Sequence, residues 1–441
     1  MRIFWLNSGL LPEACVACGY EPDTGCGWIG AMLDAVRCAS SDVQFCVVSI
    51  DWRSCDVQIG NTRHVSIPAS FTYSQIPHEI QQRYQELITE FKPDVIHVQG
   101  TEYFYGCMDT AVYCDVPVVV SIQGVLSGIW PHYPGGLTRR EMFCAHLNPR
   151  FFLKGQTLFQ EQTFWRECRA AQEAKILRQQ RYFLGRTEWD RAWVQYFNPR
   201  ARYFEVNENL RPPFYTVTRV PTQIRKHSIY CGASVSCALK GGHWLLRAIA
   251  ALKSEFPDIQ LRIAAAQKLL TPPNALHDRL YDQAYHRYLR QLITKLGVRD
   301  NIVALPNLTG DQVAEELRHA ELFVSPSMCE NSPNSLCESM LVGTPSIATF
   351  VGGVPSILKD GLEGKLVPSG DPAALAGAIR RWFFHPEEAE ACVGPARATA
   401  RKRHDSVANA KATLNVYREL ARSGPERTGR HENSLLRTEC E

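Results

Sequence analysis

Glu330-Asn331-Ser332-Pro333-Asn334-Ser335-Leu336-Cys337-Glu338 decides how this 441-residue chain is read. The stretch follows the apolar run Leu322-Phe323-Val324, which predicts a strand, and opens a helix predicted from Ser335 to Leu341. Two acids eight positions apart bracket a proline-containing turn. On such a helix Glu338 falls about one turn in, near the positive end of the dipole, while Glu330 stays on the loop before it. Backbone N–H groups at the helix start, near Asn334, Ser335 and Leu336, have no intrahelical partners. The segment therefore offers anion-binding donors flanked by two carboxylates. A ligand that combines a diphosphate with sugar hydroxyls needs both.

The text downstream is glycine-rich and turn-forming: Gly343-Thr344-Pro345-Ser346-Ile347-Ala348, then Gly352-Gly353-Val354-Pro355, then Asp360-Gly361-Leu362-Glu363-Gly364. With Glu330 and Glu338 as a Glu, seven residues, Glu signature, it resembles the family 4 retaining glycosyltransferases. The resemblance is clear over about 225 to 420 and weaker over 1 to 220. It implies an α/β chain of the GT-B fold: two Rossmann-like domains whose parallel sheets face each other across a deep cleft, with the C-terminal helix crossing back to the N-terminal domain. The expected division is 1–213 for the acceptor domain, 214–398 for the nucleotide-sugar donor domain, 399–422 for the returning helix and 423–441 for a disordered tail.

Bulk properties agree with a two-domain globular chain. Hydrophobic residues make up 45% and charged residues 21%, and the formal net charge of +3 is too small to imply a nucleic-acid partner. Apolar runs all fall short of the roughly 18–20 residues of a membrane-spanning helix. The start, Met1-Arg2-Ile3-Phe4-Trp5-Leu6, reads as a first buried strand and not as a signal peptide. The 16 cysteines are scattered and suit reduced thiols in the cytoplasm. Cys15-Val-Ala-Cys18 with Cys26 lacks a second close pair, so small buried or loop cysteines are read there in preference to a metal site.

Short apolar strands alternate with amphipathic helices in both halves. Strands are predicted at Phe45–Ile50, Asp94–Gly100, Pro117–Ile122, Ser228–Gly232, Gln260–Ala265, Ile302–Leu305 and Leu322–Val324. The middle segment, 139–195, is basic and aromatic and predicts a long amphipathic helix over the first sheet. A membrane-surface face is the sharper alternative. The domain switch is placed at Arg211-Pro212-Pro213-Phe214, where two prolines suit a connector.

In open parallel sheets ligands bind beyond the carboxyl ends of the strands, and most candidate loops lie there. Gly25-Cys26-Gly27-Trp28 opens a helix and resembles the family's N-terminal glycine loop, although an ordinary turn reads equally well. Lys240, in Leu239-Lys240-Gly241-Gly242, can neutralise a diphosphate as a point charge. The family's arginine a few positions earlier is absent from Ala233–Ala238, which leaves phosphate binding either weaker or supplied by another cation. Gln123 stands where many relatives of the resembling family have a histidine; it can hydrogen-bond but cannot act as a base. His97 sits inside an apolar strand and reads first as a core residue, with an acceptor or phosphate contact as the alternative. Arg186, after the last predicted strand end of the first domain, is either a phosphate or acceptor contact or the partner of Asp190.

The resemblance implies roles for these residues. Glu330 holds sugar hydroxyls, Glu338 the ribose, and Lys240 with the N–H groups near Asn334 and Ser335 the leaving phosphate. Asp-x-Asp is absent from the sequence, so no metal and no cofactor is expected. The expected function is transfer of a sugar from a UDP- or GDP-sugar to a glycan or lipid-linked acceptor, for cell-surface polysaccharide, by a cytoplasmic enzyme with a possible peripheral seat on the inner membrane surface. Two readings stay open beside it: a nucleotide-sugar epimerase of the same fold, and a non-catalytic GT-B partner subunit. A dinucleotide oxidoreductase ranks below all three. Gly25-x-Gly27-x-x-Gly30 is separated from the first strand by a long loop, whereas that fingerprint follows its strand directly.

Overall fold

The computed structural model describes residues 1–21, 27–69, 76–108, 110–145, 157–232, 235, 237–271 and 284–423. Gly25, Cys26 and the expected tail from 424 on lie outside the described residues. Strands β1 (Arg2–Ser8), β2 (Gln44–Ile50), β3 (Asp56–Ile59), β4 (Thr62–Ile67), β5 (Val95–Gln99), β6 (Val118–Ser121), β7 (Tyr182–Gly185) and β8 (Arg202–Glu205) form one sheet in the order β3-β4-β2-β1-β5-β6-β7-β8. Among the described residues only β3 and β4 pair antiparallel. Strands β9 (Arg225–Cys231), β10 (Gln260–Ile263), β11 (Ile302–Ala304), β12 (Ala320–Ser325), β13 (Ser346–Thr349) and β14 (Lys365–Val367) form a second, wholly parallel sheet. Its order is β11-β10-β9-β12-β13-β14.

Near-continuous apolar strands make this possible. Ile3 to Leu6 are fully buried, and every residue of β5 is buried, as a sheet covered on both faces requires. In the second sheet the strand order reverses between β9 and β12. The ligand crevice of such a sheet lies outside the carboxyl ends of those two strands, which here end at Cys231 and Ser325.

The last helix, Ser406–Ser423, returns to the first sheet. Ala410, Leu414, Tyr417 and Leu420 share a core with Trp5, Ile29, Leu33 and Val36. Tyr417 adds polar anchors: its hydroxyl accepts from Trp5 Nε1 at 3.0 Å and lies 2.6 Å from His97 Nδ1.

Two expectations need correction, and one element was missed. The hairpin β3–β4 was not foreseen, although Gly60-Asn61 between two strand-like runs is a two-residue hairpin turn. Gly185 does not close the first sheet, because the short edge strand β8 follows it. The middle segment is not one helix. Helix Leu158–Phe164 runs through a π-helical stretch, Trp165–Ala170, into helix Ala171–Gln179, and β7 and helix Glu188–Phe197 come after. Residues 146–156 of that segment lie outside the described residues.

Part of this segment, with the residues just before it, also serves the other half of the molecule. Leu137, Met142 and Leu158 are buried in the core around β9, β10 and β12. Gly135 carries the chain across: its carbonyl accepts from His243 Nε2 at 3.0 Å and Trp244 Nε1 at 2.9 Å. Its φ is +70°, and a Cβ there would stand 2.3 Å from Ala238 O, so the crossing requires glycine. Glu141 then accepts from Arg247 Nη2 at 2.7 Å.

Candidate functional site

The motif loop runs from Pro326 to Pro333, between β12 and the helix Asn334–Val342. Pro333 is the N-cap, so Asn334, Ser335 and Leu336 are the first three helical residues and Glu338 the fifth. Gly343, at φ +93°, ends the helix in the left-handed conformation that glycine favours. The predicted start at Ser335 is off by one residue.

Lys240 closes a 3-10 turn, Ala238–Lys240, and Gly241 follows at φ +72°. A Cβ on Gly241 would stand 2.0 Å from Pro326 O, so the two loops touch backbone to backbone. Met328 N donates to Leu239 O at 2.8 Å and fastens them. Lys240 Nζ therefore reaches Glu330 Oε1 at 2.6 Å, and Ser327 Oγ donates to the same oxygen at 2.8 Å. Burial works against the Lys240 charge, but Glu330 outweighs it and holds the ammonium above its ordinary pKa. Glu330 O in turn accepts from Gly353 N at 2.9 Å.

Glu338 is only 5% exposed. Arg211 donates to its Oε1 from Nε at 3.2 Å and Nη2 at 2.8 Å. Burial pushes the Glu338 carboxyl up to about 7, and Arg211 opposes that rise.

The first domain meets the motif through Asn331. Its Nδ2 donates to Gln123 O at 3.1 Å and Asp190 Oδ2 at 3.0 Å, and its Oδ1 accepts from Thr187 Oγ1 at 2.7 Å. Gln123 Oε1 accepts from Arg186 Nη2 at 2.9 Å. Arg186 is buried and pairs with Glu208 through Nη1; Asp190 instead accepts from the Arg186 backbone N–H at 3.0 Å. Trp28, His97, Gln123 and Arg186 line one small cavity of about 30 Å³, together with Ser121, Glu208 and apolar side chains such as Met32 and Leu184. That volume holds a water-sized group and no sugar. His97 is engaged on both nitrogens, by Tyr417 OH and by Ser121 Oγ at 2.7 Å, and burial lowers its pKa to about 3. It is a neutral core histidine here.

The structure thus brings Lys240, Glu330 and the start of the motif helix together, with Gln123 one residue contact away. Gly27 opens the helix Gly27–Ala39 beside Arg211. Sequence reasoning passed over Arg211 and Asn331 as functional residues. Asn331 lies inside the quoted motif, and its polarity between two acids was a usable signal. Arg211 is 127 positions from its partner, and only the neighbouring prolines drew notice.

Two parallel-sheet α/β domains, of eight and six strands, with this motif loop at the crevice of the second, define the GT-B fold of glycosyltransferases. Solved structures of that architecture superpose along nearly the whole chain. A sucrose-phosphate synthase from Thermosynechococcus elongatus matches with a TM-score of 0.67 at 15% identity, covering 96% of this chain and 100% of its own. Anabaena Alr3699/HepE, solved in complex with UDP and glucose, matches with a TM-score of 0.63 at 15% identity, covering 95% of this chain and 100% of its own.

In sequence, residues 233–399 match the family Glycosyl transferases group 1. The D-inositol 3-phosphate glycosyltransferase of Streptomyces coelicolor is 31% identical over 199 residues, covering 44% of this chain and 40% of that protein. Its counterpart in Streptomyces scabiei is 32% identical over 179 residues, covering 41% of this chain and 38% of that protein. The matches with these curated relatives therefore span about 40% of their length. Among the described residues no helix is long and apolar enough to cross a membrane.

Proposed function

We propose that the protein is a family 4 retaining glycosyltransferase that moves a sugar from a nucleoside-diphosphate sugar to a glycan or lipid-linked acceptor. The observation that carries the proposal is Lys240 paired with Glu330 at the β9–β12 crevice, beside the start of the motif helix. The matched family region includes all of these residues, and a neighbour of the same fold was solved with UDP and glucose.

In this reading the anomeric C–O bond breaks and its electron pair leaves with the diphosphate. Positive charge grows on the sugar ring, as in glycoside hydrolysis. Lys240 and the N–H groups of Asn334 and Ser335 stabilise the leaving phosphate, and they are oriented before the reaction begins. Glu330 accepts hydrogen bonds from sugar hydroxyls, and Glu338 from the ribose. The acceptor oxygen attacks from the same face, and its proton passes to the departing phosphate. Because cationic and backbone groups supply the neutralisation, the reaction proceeds without a metal. The acceptor enters from the first domain, near Gln123 and Trp28. A glycan or lipid-linked acceptor would place the enzyme in cell-surface polysaccharide synthesis, at the inner face of the membrane.

The test is a calorimetric and thermal-shift panel of UDP, GDP, ADP and their sugar derivatives on the wild type and Lys240→Met. Binding of one nucleotide, weakened in the variant, supports the donor site. A wild type that binds none of them refutes it. Turnover of a bound nucleotide sugar without acceptor marks an epimerase; binding without turnover in any acceptor screen marks a non-catalytic subunit.

A further inference from the structure

Arg211 stands on the connector between the two sheets, after β8 and before the short helix Pro213–Thr216. Its guanidinium lies over the Phe214 ring, 4.9 Å from the centroid. It also lies against a glycine from each domain. A Cβ built on Gly27 would be 3.6 Å from Arg211 Cδ, and one on Gly310 would be 3.6 Å from Nη1. One side chain therefore lies beside the first residue of the helix Gly27–Ala39, on the connector, and against the motif helix through Glu338.

How it grips Glu338 matters most. Both arms of the guanidinium go to Oε1. Among the described residues Oε2 takes no hydrogen bond. An ionised carboxylate is an acceptor on both oxygens, whereas a protonated one turns an oxygen into a donor. A buried carboxylate without a cation neutralises itself. We infer that Arg211 is a positioning residue for the nucleotide: bonded to Oε1, it favours the ionised form of Glu338 and presents Oε2 to the ribose hydroxyls, so that this presentation depends on the interdomain connector. The inference rests on the donor site proposed above, and it names a cation from outside the matched family region.

Burial drives the Glu338 carboxyl up, and Arg211 is the group that draws it back. Among the described residues the other charged or titratable groups around the motif helix bond elsewhere than Glu338. Arg397 bonds the Leu341 carbonyl at 3.1 Å. Arg403 bonds the Arg186 carbonyl at 2.7 Å and reaches Ser332 Oγ at 3.5 Å, Glu316 pairs with Arg225 and Arg262, and burial keeps the Tyr230 hydroxyl and the Cys337 thiol protonated. With Arg211 in place the carboxyl stands at about 7; removing Arg211 takes away the group that lowers it, so it rises further and the protonated form predominates at neutral pH.

The experiment is calorimetric titration of UDP, GDP and ADP into the full-length protein from pH 6 to 9. The variants are Arg211→Gln, Arg211→Lys, Glu338→Gln and the Arg211→Gln/Glu338→Gln double. At pH 7, Arg211→Gln is expected to weaken the bound nucleotide about tenfold or more. The deficit shrinks as pH rises, because the unpaired carboxyl ionises later. Arg211→Lys keeps most of the affinity. Glu338→Gln is weak at every pH, and adding Arg211→Gln to it costs little more. Thermal melts of all four establish that they fold, and the double variant leaves neither partner charged and alone. A wild type that binds no nucleotide overturns the donor site itself. A wild type that binds, beside an Arg211→Gln variant with equal affinity, or with a loss that is the same at every pH and additive with Glu338→Gln, overturns the positioning role alone.

Discussion

Gly241→Ala puts one methyl group where the structure has no room for it. At φ +72° and ψ 14° an alanine adopts the left-handed conformation, which costs roughly 1–2 kcal/mol. Its Cβ would stand 2.0 Å from Pro326 O and 2.8 Å from Pro326 C, so the Pro326 carbonyl must retreat by more than an ångström. That retreat pulls on Met328, whose N–H bond to Leu239 O is worth about 1 kcal/mol net. The sum is about 2–3 kcal/mol, or roughly 4–12 °C in Tm for a domain of this size. The same movement separates Lys240 from Ser327, the two groups that meet at Glu330 Oε1, so nucleotide affinity falls together with stability. Differential scanning calorimetry with a UDP titration reads both. Gly377→Ala is the control. Gly377 lies inside the helix Pro372–Phe384 with nothing within 4 Å of its Cβ position, so alanine there stabilises by about 1 kcal/mol. A Gly241→Ala protein that melts within about 2 °C of wild type and binds nucleotide equally well would refute the described contact between the two loops.

Asn331→Ala removes three bonds that tie the motif loop to Thr187, Gln123 and Asp190. It is expected to cost about 1–3 kcal/mol and to raise the protease sensitivity of the interdomain connector, with no change if the domains are held elsewhere. Tyr417→Phe leaves Trp5 Nε1 and His97 Nδ1 without their hydroxyl, and should lower the Tm by the equivalent of about 1–3 kcal/mol. Glu173 is fully buried, and burial pushes its carboxyl up to about 7 despite bonds from Ser127 N and Thr101 Oγ1. A raised acid stabilises fully below its unfolded value and loses that contribution as pH climbs through about 7. Glu173→Gln should therefore gain up to about 3 kcal/mol relative to wild type at pH 8 and nothing at pH 4.5; an equal effect at both values would contradict the assignment.

Local pattern explains which parts of the molecule were legible in advance. The strand Leu322–Val324, the turn at Pro333 and the helix after it are written in consecutive residues, and so is Lys240 before two glycines. Each was placed to within a residue or two of where it lies. Gly60-Asn61 was legible too and was passed over. The middle segment failed for a different reason. Its apolar residues serve two cores, Met142 and Leu158 in one and Ile176 and Leu177 in the other, so no single helical face describes them. A hydrophobic period reports that a face is buried and is silent about which core buries it.

Polar pairing is the part that a linear reading misses, and it gives the two motif acids different mechanical roles. Glu330 is held from within its own domain, by Lys240 and Ser327, across loops that a glycine lets touch. Glu338 is held by Arg211, from the connector that any movement between the domains must bend. Between them Asn331 reaches into the first domain and bonds Gln123, whose side chain is bonded in turn by the buried Arg186. A shift of one domain against the other would leave the Lys240–Glu330 pair intact and strain the other two sets of contacts. Glu330 is thus built as a fixed part of the second domain, while Glu338 and Gln123 adopt their described positions only when the connector and the cleft do.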